Sequence, residues 1–338
     1  MDRLDYVVYH PVFATYGLTE EKIAQVASRW QEKHRYYHTE AHLNFLLTEI
    51  EKLYAAGTID DNGREVLLLT AFFHDAVYDP TSQVNEEESA VLFDQLTQPH
   101  KNAPFIRQLI LDTKTHVPSG PLSTLFCELD MAVVTRSDFA QLLEWEYAIF
   151  KEYQFVDYTV YRQNRIAFLQ HCLPLAPQNQ ANLEKLIAYV QVHKPKIGIY
   201  AGSFNPLHNG HLNILEKAER IFDKVIIAQG INPEKETKES ELSHSIIRYR
   251  QHEKFSGLLT DYVTQKESFA DITLVRGLRN GDDLDYEVNQ LRFMEDMKSD
   301  LKVVFIRCDK QFEHISSSAI RNLEKINKGL GDKYLPPR

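Results

Sequence analysis

The chain has 338 residues, 43% hydrophobic and 25% charged, with a formal net charge of −10 at neutral pH. That length exceeds one ordinary core and calls for two domains. The acidic balance argues against nucleic acid as the main partner, although local basic clusters can still hold a small anion. No apolar run approaches the roughly 18 residues of a membrane span, and the first stretch lacks the basic-then-apolar layout of a secretion signal. Three cysteines, Cys127, Cys172 and Cys308, are odd in number and far apart, as expected of reduced thiols in a cytoplasmic protein.

Apolar residues recur at helical spacing over 20–33, 42–55, 64–73, 86–96, 106–113 and 139–152, with Thr19 placed as an N-cap. A further helix is expected over 180–192, after the punctuation Leu173-Pro-Leu-Ala-Pro177. The texture changes near His193-Lys-Pro195. Strands are expected at 196–201, 225–228, 272–275 and 303–306, alternating with helices over 212–222, 284–297 and 317–326. Such alternation implies a parallel sheet with helices on its faces. The expected fold class is therefore multidomain: an all-α helical bundle over 1–193, then an α/β Rossmann-like parallel-sheet domain over 196–338.

In the helical half, Tyr37-His-Thr-Glu-Ala-His42 is followed by Phe73-His-Asp75 and Glu128-Leu-Asp130. His38 and His42 are four apart, which predicts one shared helix face. With a His-Asp pair and a later Asp they make a mixed nitrogen and oxygen ligand set suited to Mn, Fe, Co, Ni, Zn or Mg. A cation held there turns water into a nucleophile at neutral pH. A His-Asp pair alone is common; the ordered set is not. This half resembles the HD phosphohydrolase superfamily, in particular its small metal-dependent group. The matches are Arg35-x-Tyr-His-x-x-x-His42, His74-Asp75, Asn85-Glu-Glu-x-Ser-Ala90, Thr113-x-x-His116, Asp130 and Tyr161-x-x-x-Arg165. The resemblance implies His42, His74, Asp75 and Asp130 as metal ligands and His38 as general acid toward the leaving group. It also suggests Glu86 as the group orienting water, Arg35 and Lys114 as phosphate contacts, and His116 as an extension of the site.

The densest motif of the second half is Gly202-Ser-Phe-Asn-Pro-Leu-His-Asn-Gly-His211, directly after the first expected strand. A strand ending in a glycine-containing turn that opens a helix puts backbone N–H groups where a phosphate can sit. His208 and His211 start that helix and are expected to face one anion, with Gly210 between them allowing close substrate approach. Two imidazole donors and a helix N-terminus suit nucleotidyl transfer, which needs positioning and charge stabilisation rather than a protein nucleophile.

Residues 196–338 resemble the HxGH nucleotidyltransferase superfamily, most closely the bacterial pantetheine-phosphate adenylyltransferases. Further matches are Asn232-Pro-Glu-Lys235, Val275-Arg-Gly-Leu-Arg279, Asp283-Leu-Asp-Tyr-Glu287, Ile315-Ser-Ser-Ser318 with Arg321, and Tyr334-Leu-Pro-Pro337. The resemblance implies that Ser203 and Phe204 line the substrate site, Ser203 touching the acceptor phosphate and the α-phosphate. His211, helped by His208, stabilises the transition state, and Lys235 neutralises the reacting phosphates. Arg276 holds the acceptor phosphate and Arg279 and Glu287 bind nucleotide. Ser316, Ser317 and Ser318, with Arg321, hold the β- and γ-phosphates. The implied partners are ATP with Mg²⁺ and a phosphorylated small-molecule acceptor, first of all 4′-phosphopantetheine. No nucleic-acid or membrane partner is expected, and a homo-oligomer is.

Two features depart from that pattern. His208 stands where the pantetheine enzymes usually have Thr, and the stretch from Lys235 to Arg276 is short, with an acidic run over 234–241. The alternatives are therefore another acceptor such as nicotinamide mononucleotide, or a nucleotide-sensing module with one inactive domain.

Overall fold

Apolar spacing of three and four residues winds the N-terminal half into helices. They are α1 (His10–Thr15), α2 (Glu20–Arg29), α3 (Glu40–Ala55), α4 (Asp61–Phe73), α5 (Asn85–Leu96), α6 (Ala103–Asp112), α7 (Pro121–Asp130), α8 (Ala132–Arg136), α9 (Phe139–Glu152), α10 (Tyr158–Cys172) and α11 (Gln180–Val192). The computed structural model describes residues 6–231, 242 and 244–336. Two units form: Met1–Glu152 with Ala167–Ala188, and Tyr153–Ile166 with Tyr189–Arg338.

Within the first unit α4 is the central helix, buried from Val66 to Phe73, because that run is apolar on every face. Phe13, Trp30, Phe93 and Phe126 pack into the same core, and the Trp30 indole donates to the Phe72 carbonyl at 3.2 Å. Short polar side chains start the helices. Thr19 accepts from the Lys22 N–H, Thr39 from Ala41 and Asp60 from Gly63, each satisfying an amide that lacks an intrahelical partner.

The second unit carries a five-stranded parallel sheet: β1 (Lys196–Gly202), β2 (Lys224–Gly230), β3 (Gln251–Phe255), β4 (Asp271–Leu278) and β5 (Val303–Arg307), in the order β3-β2-β1-β4-β5. Its helices are α12 (Asn209–Ala218), α13 (His244–Ile247), α14 (Leu259–Lys266), α15 (Gly281–Met297) and α16 (Ser317–Ile326). Tyr200 of β1 lies opposite Ile227 on one side and Val275 on the other. β3 has no counterpart in the expected strands: its sequence Gln-His-Glu-Lys-Phe is polar, and it pairs with β2 alone. An edge strand does not need the apolar run of a central one.

Residues 153–166 join the sheet unit through buried polar contacts. The Lys224 ammonium, on β2, donates to the carbonyls of Gln154 and Val156. The Tyr158 hydroxyl donates to the His193 carbonyl at 3.0 Å, and Asp157 receives Gln251 and Lys266 at 3.2 and 3.4 Å.

Close packing makes Gly198 intolerant of a side chain. A Cβ there would lie 2.7 Å from the Phe222 ring, whereas one at Gly281, the first residue of α15, meets nothing within 4 Å. Gly198→Ala is expected to lower stability by about 1–3 kcal/mol, and Gly281→Ala to leave it unchanged or raise it by up to about 1 kcal/mol. Denaturant midpoints check both; equal midpoints for the two variants would contradict this packing.

Candidate active sites

In the parallel sheet the connection from β1 runs to β2 on one side while β4 flanks β1 on the other. The chain therefore reverses direction between β1 and β4, and the carboxyl ends of those two strands open the crevice where open α/β sheets bind ligands. Ser203 to His211 leave β1 there, and Arg276 to Arg279 end β4.

His208 is the N-cap of α12. Its Nδ1 accepts from the His211 N–H at 3.3 Å, and His211 Nδ1 accepts from the His208 N–H at 3.3 Å. The rings stack with centroids 3.7 Å apart and planes 19° apart. Because both Nδ1 atoms accept, each neutral ring carries its proton on Nε2, as a donor turned away from the helix. Burial, with Arg279 nearby, pulls His208 down to about 4. Burial, then His208 and Arg279, hold His211 well below the usual histidine range.

Gly210 serves a purpose other than the expected substrate approach: a Cβ would lie 3.0 Å from His208 Cε1 and 3.1 Å from its Nδ1, so glycine makes room for the capping ring. Phe204, with φ 46°, turns its buried ring over Gly202 and edge-on to His211, with centroids 5.2 Å apart. The Asn205–Pro206 peptide is cis.

The serine motif closes on this turn. Ser316 caps α16 by accepting from the Ala319 N–H at 3.1 Å, and Ser317 Oγ donates to the Pro206 carbonyl at 2.9 Å. Arg321 donates to the Asn205 carbonyl and to Ser318 Oγ. Residues more than 100 positions apart thus share one corner, with the N-terminus of α16 facing it.

The arginines take partners the sequence did not suggest. Arg276 pairs with Glu287 through two bonds, Nε to Oε2 at 2.5 Å and Nη2 to Oε1 at 2.7 Å. Arg279 grips Asp283 at 2.8 and 2.7 Å. Arg276 and Glu287, expected to hold different parts of the substrates, are here each other's counter-charge. Lys235 lies outside the described residues. A supporting residue that sequence reasoning missed is Gln229, whose amide donates to the Ser203 carbonyl at 3.3 Å and whose oxygen meets His252 Nε2 at 3.1 Å.

The second cluster is in the helical unit. His42 sits in the first turn of α3, His74 caps the C-terminus of α4, and Asp130 ends α7. One ligand atom from each lies within 4.8 Å of the other two. His42 Nε2 is 3.0 Å from Asp130 Oδ1, and His116 Nε2 is 2.9 Å from Asp130 Oδ2. This contact brings His116, from the turn after α6, to the edge of the cluster. Asp75 stands beside the trio, its Oδ2 3.1 Å from His74 Nε2.

His74 tests whether a cation suits this place. Its Nδ1 is 2.9 Å from the Ala71 carbonyl, so it donates there and leaves the Nε2 lone pair facing two carboxylates. That Nε2 is buried with no hydrogen-bond partner. A buried lone pair aimed at anions needs a positive charge between them, and the donor set of imidazoles and carboxylates fits a divalent transition metal or Mg²⁺. Burial raises the Asp130 carboxyl, but the surrounding imidazoles of His116, His42 and His74 outweigh it and hold the group well below the carboxylate range. Burial, with Asp75 adjacent, raises Glu86.

Two expectations for this half need correction. α3 begins at Glu40, so His38 precedes the N-cap Thr39 and shares no helix face with His42; their ring centroids are 6.2 Å apart. Arg35 is no phosphate contact. Its fully buried guanidinium donates to the carbonyls of His38, Asp75 and Ala76 at 3.2, 2.7 and 3.2 Å, over the rings of Trp30 and Tyr78. It braces the backbone that carries the cluster. Lys114 donates to Glu87 and to the Gln83 carbonyl, both exposed contacts.

The cytidylyltransferase-like family model matches residues 199–323. A phosphopantetheine adenylyltransferase of Streptococcus sanguinis is 34% identical over 147 residues, 42% of this chain and 89% of the relative. One of Shouchella clausii is 35% identical over 149 residues, 42% of this chain and 91% of the relative. Through this domain the chain belongs to the phosphopantetheine adenylyltransferase family. The parallel-sheet unit is thus a nucleotidyltransferase of the adenylyltransferase type. No helix among the described residues is long and apolar enough to cross a membrane.

The stacked histidines give a direct test. In the ligand-free protein the His208 Hε1 resonance is expected to titrate with a midpoint near 4 rather than near the usual ~6.5. The folded value lies below the unfolded one. The unfolded chain therefore binds the proton first, and stability present above about pH 6.5 is lost as pH falls toward about 4. A midpoint near that of an exposed histidine would show that the capping pair does not form.

Proposed function

We propose that the parallel-sheet unit transfers the adenylyl group of MgATP to 4′-phosphopantetheine, giving dephospho-coenzyme A and pyrophosphate. The observation that carries this reading is the reciprocal cap of His208 and His211, which occupies both Nδ1 atoms and leaves two Nε2–H donors at the start of α12. The relatives' names supply the acceptor. An acceptor phosphate oxygen attacks the ATP α-phosphorus in line; the new P–O bond forms as the bond to the β-phosphate oxygen breaks, and pyrophosphate leaves. Charge grows on the α-phosphate and leaving oxygens, so donors fixed in advance stabilise the transition state more than the ground state. In this reading His211 and His208 face the α-phosphate with Ser203, and Phe204 walls the site. Lys235 offsets phosphate charge, Arg276 holds the acceptor phosphate, and Arg279 and Glu287 take the nucleotide. Ser316, Ser317, Ser318 and Arg321 receive the β- and γ-phosphates. Binding then means exchange of carboxylate for phosphate at Arg276.

For the helical unit we propose hydrolysis of a phosphate ester by an HD-type site, with His42, His74, Asp75 and Asp130 holding a divalent cation. That ion supplies the charge that acidifies water and shields the ester. His38 donates a proton to the leaving oxygen, and Glu86, kept basic enough by burial, orients the attacking water.

Two experiments test these readings. Mg-ATP is offered with a panel of phosphorylated acceptors, including 4′-phosphopantetheine and nicotinamide mononucleotide, and pyrophosphate and product are measured. We expect dephospho-coenzyme A, and a loss of about 10²–10³ in kcat for His211→Ala; full activity in that variant, or turnover of another acceptor alone, would sink the assignment. Elemental analysis of purified protein is expected to find divalent metal that His74→Ala and Asp130→Ala lose. Unchanged metal content in both would remove the cation site.

A further inference from the structure

Glu152, the last residue of α9, is buried in the helical unit and belongs to none of the motifs discussed above. Its Oε1 accepts three successive backbone N–H groups, those of Tyr36, Tyr37 and His38, at 2.8, 2.8 and 3.0 Å. Consecutive amides converging on one oxygen form an anion nest. Its Oε2 is 2.7 Å from His38 Nδ1 and accepts the Tyr78 hydroxyl at 2.7 Å. With five donors on two oxygens the carboxylate cannot rotate. Burial pushes this group up, but His38, Tyr78 and the nest outweigh it and bring it down to about 2. It is therefore an anion at any working pH, and an anion only accepts. His38 Nδ1 must then carry a proton, so chemistry falls to Nε2. The ring has little freedom besides: it stacks on Tyr78 at 4.2 Å and meets Tyr37 edge-on at 5.0 Å.

We propose that Glu152 is the positioning residue of the helical site: it fixes the His38 tautomer and ring direction so that Nε2 serves as the proton donor to a leaving group. The proposal rests on the hydrolase reading given above. The logic is that of a carboxylate holding an imidazole for acid–base work, and here the same carboxylate also shapes the loop that carries the histidine.

Glu152→Gln separates the two tasks. Its amide oxygen can still occupy the nest, while its NH₂ replaces Oε2 and faces His38 Nδ1, donor against donor, unless the proton moves to Nε2. Two-bond ¹⁵N–¹H spectra of the full chain, at a pH where the ring is neutral, report the tautomer without reference to activity. We expect an Nδ1–H signal in the wild type and an Nε2–H signal in Glu152→Gln. The wild-type spectrum is decisive even if the variant does not fold: an Nε2–H signal there overturns the proposal.

The second readout compares an alkyl phosphate monoester with p-nitrophenyl phosphate, whose leaving group needs no proton. Glu152→Gln with unchanged metal content is expected to lose about tenfold or more in kcat on the alkyl ester, and less than about threefold on the aryl ester. Equal losses on both would make Glu152 merely structural and overturn the proposal. Metal-loaded wild type that cleaves neither ester sinks the hydrolase reading, and the acid role of His38 with it. Active enzyme with an unchanged tautomer in Glu152→Gln sinks the role of Glu152 alone.

Discussion

The reciprocal hydrogen bonds between His208 and His211 set the terms for the whole corner of the parallel sheet. A helix start normally leaves several amides without partners, and a short polar side chain usually takes one of them. Here two imidazoles take one amide each, and the consequences follow in order. The Nδ1 atoms are occupied, the protons sit on Nε2, and the rings stack. Glycine between them leaves room for the capping ring, against which a Cβ would pack tightly. Burial keeps the pair neutral, so two donors rather than two charges face the crevice. Charge is left to the arginines, each held by a carboxylate.

The helical unit solves a related problem with the opposite sign. Asp130 lies among three imidazoles and Glu152 in a ring of amides, so both stay ionised although burial opposes it. Arg35, sealed between Trp30 and Tyr78, ties the His38 and Asp75 backbones together with no carboxylate at the cluster as its partner. Buried charge is tolerated in each case because several hydrogen bonds converge on the charged group.

Much of this was legible in sequence wherever local pattern decides structure. Strands β1, β2, β4 and β5 are runs of Val and Ile bounded by turns, and α3, α4, α5 and α9 announce themselves by period. The joining of Gly202 to His211 with Ser316 to Arg321 follows from family resemblance, although their contacts had no local signal. Long-range polar partners were not legible. Glu152 is more than 100 residues from the loop it organises, and nothing in Phe139 to Glu152 marks its last carboxylate as different from a solvated one. The same holds for Arg35, where pattern suggested a ligand and tertiary burial made a brace. His38 was misplaced for a local reason: Thr39 takes the N-cap and the helix starts at Glu40, two residues too late to include it. β3 was missed because an edge strand can be polar.

The contacts of Lys224 bear on how this fusion can be taken apart. Its ammonium lies inside the sheet unit and gives protons to two carbonyls contributed by residues 154 and 156, upstream of two long helices. In modular terms the transferase half is therefore not severable by one cut at the start of β1. A chain shortened to begin there would lose two of the acceptors of a buried ammonium. The sheet unit thus takes in residues 153–166 as well as everything from Tyr189 on, and a shortened transferase has to keep those carbonyls or replace Lys224.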